Sequence, residues 1–233
     1  MIELRPFAEL GGGNHGWLDT KHHFSFADYY SPNRMHWGNL RVWNDDTIDP
    51  KTGFPLHGHS DMEIITYVRR GAITHQDSLG NLGRTEAGDV QVMSAGTGIR
   101  HSEYNLEDEV TQIFQIWILP DHIGGVPRWG TKPFPRAERA NGFMTLASGM
   151  KGDEDDALPI RASARVLGAT VKAGETIRYA MDARRHAYLV PASGAVRVGE
   201  IEAKAGDGVA ITGVEEIVVT ALSERELVLV DAA

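Results

Sequence analysis

A chain of 233 residues, 42% of them apolar, suffices for one large domain or for two of about 100–130 residues. It contains no cysteine, which excludes disulfides, iron–sulfur clusters, thiolate zinc sites and cysteine nucleophiles. The formal net charge is −9 and the basic pairs Arg69-Arg70 and Arg184-Arg185 are isolated, so direct nucleic-acid binding is not expected.

The first residues, Met1-Ile2-Glu3-Leu4-Arg5-Pro6, lack a basic-then-apolar leader pattern, and no apolar run is long enough for a membrane span. A cytoplasmic protein without membrane contact is the expectation. Short apolar runs then alternate with turns drawn from 26 glycines and 10 prolines. They predict strands over Met62–Val68, Val90–Met93, Thr111–Ile118, Ala187–Val190 and Leu227–Val230. Pro120–Pro135, dense in glycine and proline, reads as the crossing between two halves. Gly152-Asp153-Glu154-Asp155-Asp156 reads as an exposed acidic loop. Helical periodicity is scarce, so the fold class is all-β.

An internal repeat divides the chain. Tyr67 to Ile73 followed by Ala87-Gly88-Asp89-Val90 recurs as Leu189 to Val196 followed by Ala205-Gly206-Asp207-Gly208-Val209. Two tandem β-barrels explain this, residues 1–132 and 133–233. Matching Gly71 with Gly194 sets His57 and His59 against Ala180 and Asp182, and Glu63 against His186. Matching Gly88 with Gly206 sets His101 and Glu103 against Val219 and Ala221. The second half thus lacks this ligand set, and any metal is expected in the first.

Those residues form two clusters, His57-Gly58-His59 and His101-Ser102-Glu103. On a strand, side chains at i and i+2 share a face. Two such strands facing one cavity bring three imidazoles and a carboxylate together, a set suited to a redox-active divalent metal with positions left for substrate or oxygen. Ser102 points away from that face and has no base to activate it. Glu63 lies roughly 13 Å beyond His59 along an extended strand, at about 3.3 Å per residue, and reaches the site only through a bend. His75 and Asp77 read as hydrogen-bonding residues of a hairpin. His22-His23, His15, His36, His122 and His186 read as structural, with His22-His23 placed to edge a pocket. Phe54, Met93, Phe114, Gln115 and Trp117 bracket the clusters and are candidate pocket residues. Gln115, polar within an apolar run, needs a partner if buried.

Gly53 to Gly71 and Gly88 to Asn105 resemble the two cupin motifs. More specifically, the chain resembles a pirin-family bicupin. The stretches that carry this are Asn14–Asp19, Phe24–Tyr30, His57-x-His59-x-Asp61-Met62-Glu63, His75–Ser78 and Met93–Glu103. The resemblance implies two jelly-roll barrels with one metal in the first. It implies that Glu103, rather than Glu63, completes the ligand set with His57, His59 and His101, and that Glu103 is also the catalytic base. It further implies oxidative cleavage of a flavonol such as quercetin by O2, with release of carbon monoxide. Iron(II) is the expected ion; manganese, nickel, cobalt and copper accept the same donors, and zinc or cadmium would reflect availability during purification. Some pirins instead act as metal-dependent partners of transcription factors or metabolic enzymes, so a protein partner is the alternative. An isomerase or sugar-binding cupin is a third reading, disfavoured by the Glu103 assignment.

Overall fold

The computed structural model describes residues 1–134, 139–140, 142–153, 157–223 and 225–233. In the first half the strands are β1 (Ile2–Arg5), β2 (Gly11–Asn14), β3 (Leu18–His22), β4 (Leu40–Ile48), β5 (Thr52–His59), β6 (Glu63–Arg70), β7 (Ala72–Asp77), β8 (Leu82–Glu86), β9 (Val90–Ser94), β10 (Ile99–Asn105), β11 (Thr111–Ile118) and β12 (Arg128–Lys132). In the second they are β13 (Met144–Ser148), β14 (Leu158–Pro159), β15 (Ala164–Val171), β16 (Thr176–Ala180), β17 (His186–Pro191), β18 (Ala195–Val198), β19 (Ile201–Lys204), β20 (Gly208–Thr212), β21 (Glu216–Ala221) and β22 (Arg225–Ala232). A single turn of 3-10 helix spans Phe7–Glu9. Each predicted strand falls within one residue or two of an observed one. Among the described residues, no helix is long and apolar enough to cross a membrane.

Each half is a seven-stranded sheet facing a four-stranded one, a flattened jelly roll rather than a continuously hydrogen-bonded barrel. The first half orders its sheets β12-β9-β6-β11-β4-β3-β2 and β5-β10-β7-β8. The second repeats the scheme as β1-β20-β17-β22-β15-β13-β14 and β16-β21-β18-β19. β12 lies inside the segment read as a crossing; it pairs with β9, so that segment completes the first half's sheet. The equivalent edge in the second half, beside β20, is taken by β1 from the start of the chain. Pro135 and residues 154–156 of the acidic loop lie outside the described residues. Asp153, at the head of that loop, accepts from Ser148 and Arg165.

Strand alternation separates two environments. Phe114, Ile116 and Ile118 of β11 point away from the first half's interior and join Trp43, Tyr67, Tyr188, Val190, Val228 and Val230 in one core between the two large sheets. Phe114 is therefore not a pocket residue: it contacts Trp43 at 5.3 Å and lies under the Arg69 guanidinium at 4.4 Å. Ile113, Gln115 and Trp117, one residue out of phase, face the interior.

Register confirms the repeat and corrects one match. Gly71 and Gly194 have φ of 73° and 60°, and Gly88 and Gly206 have 96° and 80°, a left-handed conformation that glycine adopts without strain. Glu103 pairs with His75 on β7, whereas Val219 pairs with Val198 on β18. Taken from Gly71 and Gly194, His75 and Val198 are equivalent, so Ile217 and Val219 occupy the places of His101 and Glu103. The shift arises because the connection into β21 is two residues shorter than that into β10. The second half still offers only apolar side chains there.

Candidate metal centre

β5 and β10 bring the two clusters together as antiparallel neighbours, with His101 opposite His57. The pairing carries a bulge: Glu103 faces Phe54, so Pro55 and Leu56 stand against Ser102 alone. Proline suits a bulge because it has no N–H to lose from the ladder. The matching pair β16–β21 runs without a shift from Thr176 to Ala180. On β10, His101 and Glu103 are buried and their neighbours Arg100, Ser102 and Tyr104 face outward, as the i, i+2 rule requires.

His57, His59 and His101 place one ring nitrogen each within 4.8 Å of one another. Glu103 belongs to a second such group, with His75 and His101. His101 is common to both. Glu63 is in neither: it is buried, accepts from Ser94 Oγ at 2.5 Å, and burial raises its pKa against Ser94 and Arg161.

Hydrogen bonds fix which nitrogens carry lone pairs. His57 Nδ1 lies 2.7 Å from the carbonyl oxygen of Pro55 and donates to it, leaving a lone pair on Nε2. Asp77 accepts from the backbone N–H groups of Leu79 and Asn81 and from the Asn81 amide. Burial raises its pKa, but these bonds and His75 hold it below the usual range. His75 Nε2 donates its proton to Asp77 at 3.0 Å; in the neutral ring Nδ1 is then an acceptor, and it faces His101 Nδ1 at 3.4 Å. His101 then keeps its proton on Nδ1 and its lone pair on Nε2. The lone pairs of His57 and His101 face each other, with Nε2 to Nε2 at 3.1 Å.

Two acceptors at that distance repel unless a cation lies between them. Nitrogens each ~2.1 Å from one ion stand roughly 3.0 Å apart at right angles and roughly 3.4 Å apart in a tetrahedron. The observed spacing fits a six-coordinate divalent ion. Burial, then repulsion from neighbouring imidazoles, lowers the pKa of His101 to about 3 and of His59 to about 4. Both rings are neutral near pH 7, as metal ligation demands.

Glu103 is held by amides. Gln91 Nε2 donates to Oε1 at 2.6 Å, Gln115 Nε2 to Oε2 at 2.6 Å, and Thr66 Oγ1 to Oε1 at 3.2 Å. Each amide is itself oriented. Trp117 Nε1 donates to Gln115 Oε1 at 3.1 Å, and Thr85 Oγ1 donates to Gln91 Oε1 at 3.1 Å. A carboxylate offers about four acceptor positions; three are filled, and the remaining one is on Oε2.

A cavity of about 340 Å³ opens against this group, near the lower end of the ~300–1,000 Å³ of small-molecule pockets. Phe54, Gln115 and Trp117 line it, as do His57, His59, His101 and Glu103. Trp117 packs on His59 at 5.0 Å and on Phe26 at 5.3 Å, and Phe26 on His22 at 5.2 Å, closing an aromatic wall. Met93 does not line the cavity; it packs with Ile64, Ala95 and Ile99, where Trp117 and Trp129 seal the barrel end. His15, read from sequence as structural, does line it, and so does His22, read as structural but placed to edge a pocket, together with Asn44 and Asp46. His23 instead lies between the halves, with Nδ1 2.9 Å from the Tyr188 hydroxyl. Sequence reasoning missed Thr66, Gln91 and the His75–Asp77 support of His101. Gln91 carries the same signal as Gln115, a polar residue inside an apolar run.

Comparison with known proteins agrees with this architecture. The Pirin family pattern matches residues 4–118, and the quercetinase C-terminal cupin domain pattern matches residues 145–232. A pirin-like protein of Caulobacter vibrioides is 66% identical over 233 residues, covering the whole of both chains. The Escherichia coli K12 protein named quercetin 2,3-dioxygenase is 40% identical, covering 99% of this chain and 98% of that one. The crystal structure of the E. coli bacterial pirin YhhW in complex with nickel(II) superposes with a TM-score of 0.93 at 40% identity, over 100% of this chain and 99% of that one. The chain therefore belongs to the pirin family.

Proposed function

We propose that the first half holds one divalent transition metal on His57, His59, His101 and Glu103 and catalyses oxidative opening of a flavonol such as quercetin, with release of carbon monoxide. The observation that carries this reading is the pair of imidazole Nε2 atoms 3.1 Å apart at the wall of an open cavity. In this reading residues 1–132 carry the metal and residues 133–233 carry none, with β1 lent to the second half's sheet.

The residues have distinct work. A bound metal supplies Lewis acidity toward the 3-hydroxyl of the flavonol and access to O2. Pro55 orients His57, and the Asp77–His75 pair orients His101, so ligand geometry is set before anything binds. Glu103 has one open acceptor position, on Oε2, which would serve the metal at rest and take the 3-hydroxyl proton once the flavonol oxygen is in place, while Gln91 and Gln115 keep the carboxylate from turning. Trp117, Phe26 and Phe54 exclude water and offer flat faces to an aromatic ring. Iron(II) is our first choice of ion because the step needs a redox-active metal that accepts imidazole and carboxylate. The regulatory alternative calls for a closed or narrow pocket, and a cavity of about 340 Å³ supports the enzyme.

Metal analysis of natively purified protein, followed by carbon monoxide release from quercetin under air across a chelation and reconstitution series, tests this. Carbon monoxide should track metal loading with iron, manganese, nickel or cobalt. If none of them supports release, the dioxygenase assignment falls and the protein-partner reading replaces it.

A further inference from the structure

Register aligns five polar side chains across the cavity face of the large sheet: His22, Asn44, Gln115, Thr66 and Gln91 on five successive strands. Buried polar groups are costly unless paired. Gln115, Thr66 and Gln91 donate to Glu103. The other two do not. Among the described residues Asn44 Oδ1 and His22 Nδ1 find no hydrogen-bond partner, although each of the two residues is only 5% exposed. Both residues line the cavity, and so does Asp46, which sits two residues along the same strand and accepts from Thr20. Burial, aided by His15, lowers the pKa of His22, so its ring is neutral and one nitrogen is an acceptor.

We propose that His22, Asn44 and Asp46 form a second, polar subsite of this cavity, which exchanges hydrogen bonds with ring hydroxyls of a polyhydroxylated aromatic ligand whose other end lies at the histidines. The inference rests on the flavonol reading of the cavity and extends it to what selects the ligand. The aromatic wall of Phe26 and Trp117 joins the two ends, running from His22 to His59. A flat ligand spanning them satisfies acceptors that the fold leaves open, and a site built to bond hydroxyls rejects an analogue lacking them.

The test compares two probes, quercetin and 3-hydroxyflavone, which keeps the 3-hydroxyl but lacks the other ring hydroxyls. Binding is measured by calorimetry without oxygen on metal-reconstituted wild type, Asn44→Leu and His22→Phe. The preference for quercetin over 3-hydroxyflavone should fall about tenfold in Asn44→Leu, the size of one hydrogen bond, and fall also in His22→Phe. The ratio cancels general damage to the pocket. If Asn44→Leu does not melt cooperatively, His22→Phe decides alone. A preference unchanged in the folded variants overturns the subsite, even where quercetin is still turned over. A preference lost as expected, with no carbon monoxide released by wild type, upholds the subsite and removes the dioxygenase reading. If wild type binds neither probe, both fall.

Discussion

The same interior row runs through both halves of the molecule with opposite contents. In the first half it reads His22, Asn44, Gln115, Thr66 and Gln91. Register puts Thr145, Leu167, Leu229, Leu189 and Val209 in the equivalent places of the second. Leu167, Leu189, Val209 and Leu229 pack into one aliphatic core with Ile177, Val198 and Val219. The first half has only small apolar clusters at either end of its interior, with the cavity between them. Strand order and handling of edges are shared, so the fold does not dictate a site. What dictates it is whether interior positions are spent on packing or on holding Glu103 and the histidines.

The largest way to break this contrast is to remove a ligand. His57→Ala should take the protein from stoichiometric metal to none, measured by elemental analysis after dialysis, and His186→Ala should leave metal content untouched. A metal lost with His186 would overturn the assignment of the first half. Glu103→Gln should lower turnover ~10²–10⁴-fold, the usual worth of a general base, with a smaller loss of metal. Glu63→Gln should affect stability more than rate. Equal rate losses at full occupancy would show the two carboxylates are not distinct.

Exchanging the rows sharpens the comparison further. Leu229→Gln puts an amide into an aliphatic core with no partner and should cost about 3 kcal/mol in urea unfolding. Gln115→Leu removes a donor from Glu103 and an acceptor from Trp117, and should cost about 1–2 kcal/mol. Adding Glu103→Leu to Gln115→Leu should cost less than the two single changes summed, because each relieves the other's unpaired group. Strict additivity would mean the amide does not support the carboxylate.

A further expected effect is a pH dependence carried by a buried carboxyl of the first half. Burial raises the pKa of Asp46 to about 7, opposed by Thr20. The folded protein then keeps a proton that the unfolded chain releases above about pH 4. Stability from this group is therefore highest below that pH, falls as pH rises toward about 7, and is level beyond, with a slope of at most about 1.4 kcal/mol per pH unit. Asp46→Asn should make this limb of the unfolding profile shallower, leaving the part that Asp45, raised by burial to about 6, contributes. An unchanged profile would show that the carboxyl is not protonated on folding.

Much of this was legible in the residue order because alternation is a strict rule. His57-x-His59 and His101-x-Glu103 declare a shared face, and glycines with φ above +20° mark the same two turns in each half. Parity also explains the error at Phe114, which adjoins Gln115 and for that reason faces the other way. Met93 shares the parity of Gln91 but lies past Trp117, and depth along a barrel leaves no mark in a periodic pattern. The His75–His101 contact depends on β7 pairing with β10 rather than on spacing within either strand. The bulge at Pro55 and Leu56 is visible only as a mismatch between strands.

The placement of β1 has a consequence for how the chain is made. Its partner β20 lies about 200 residues downstream, so at ~5–20 residues per second the first strand leaves the ribosome roughly 10–40 s before anything can receive it. Arg5, at the end of that strand, must meanwhile wait to be enclosed by Phe24, Trp37 and Tyr188. Once β20 has paired with β17, β1 covers an edge that would otherwise recruit foreign strands. The pairing of β1 with β20 thus joins the segments of the sheet that are made furthest apart in time.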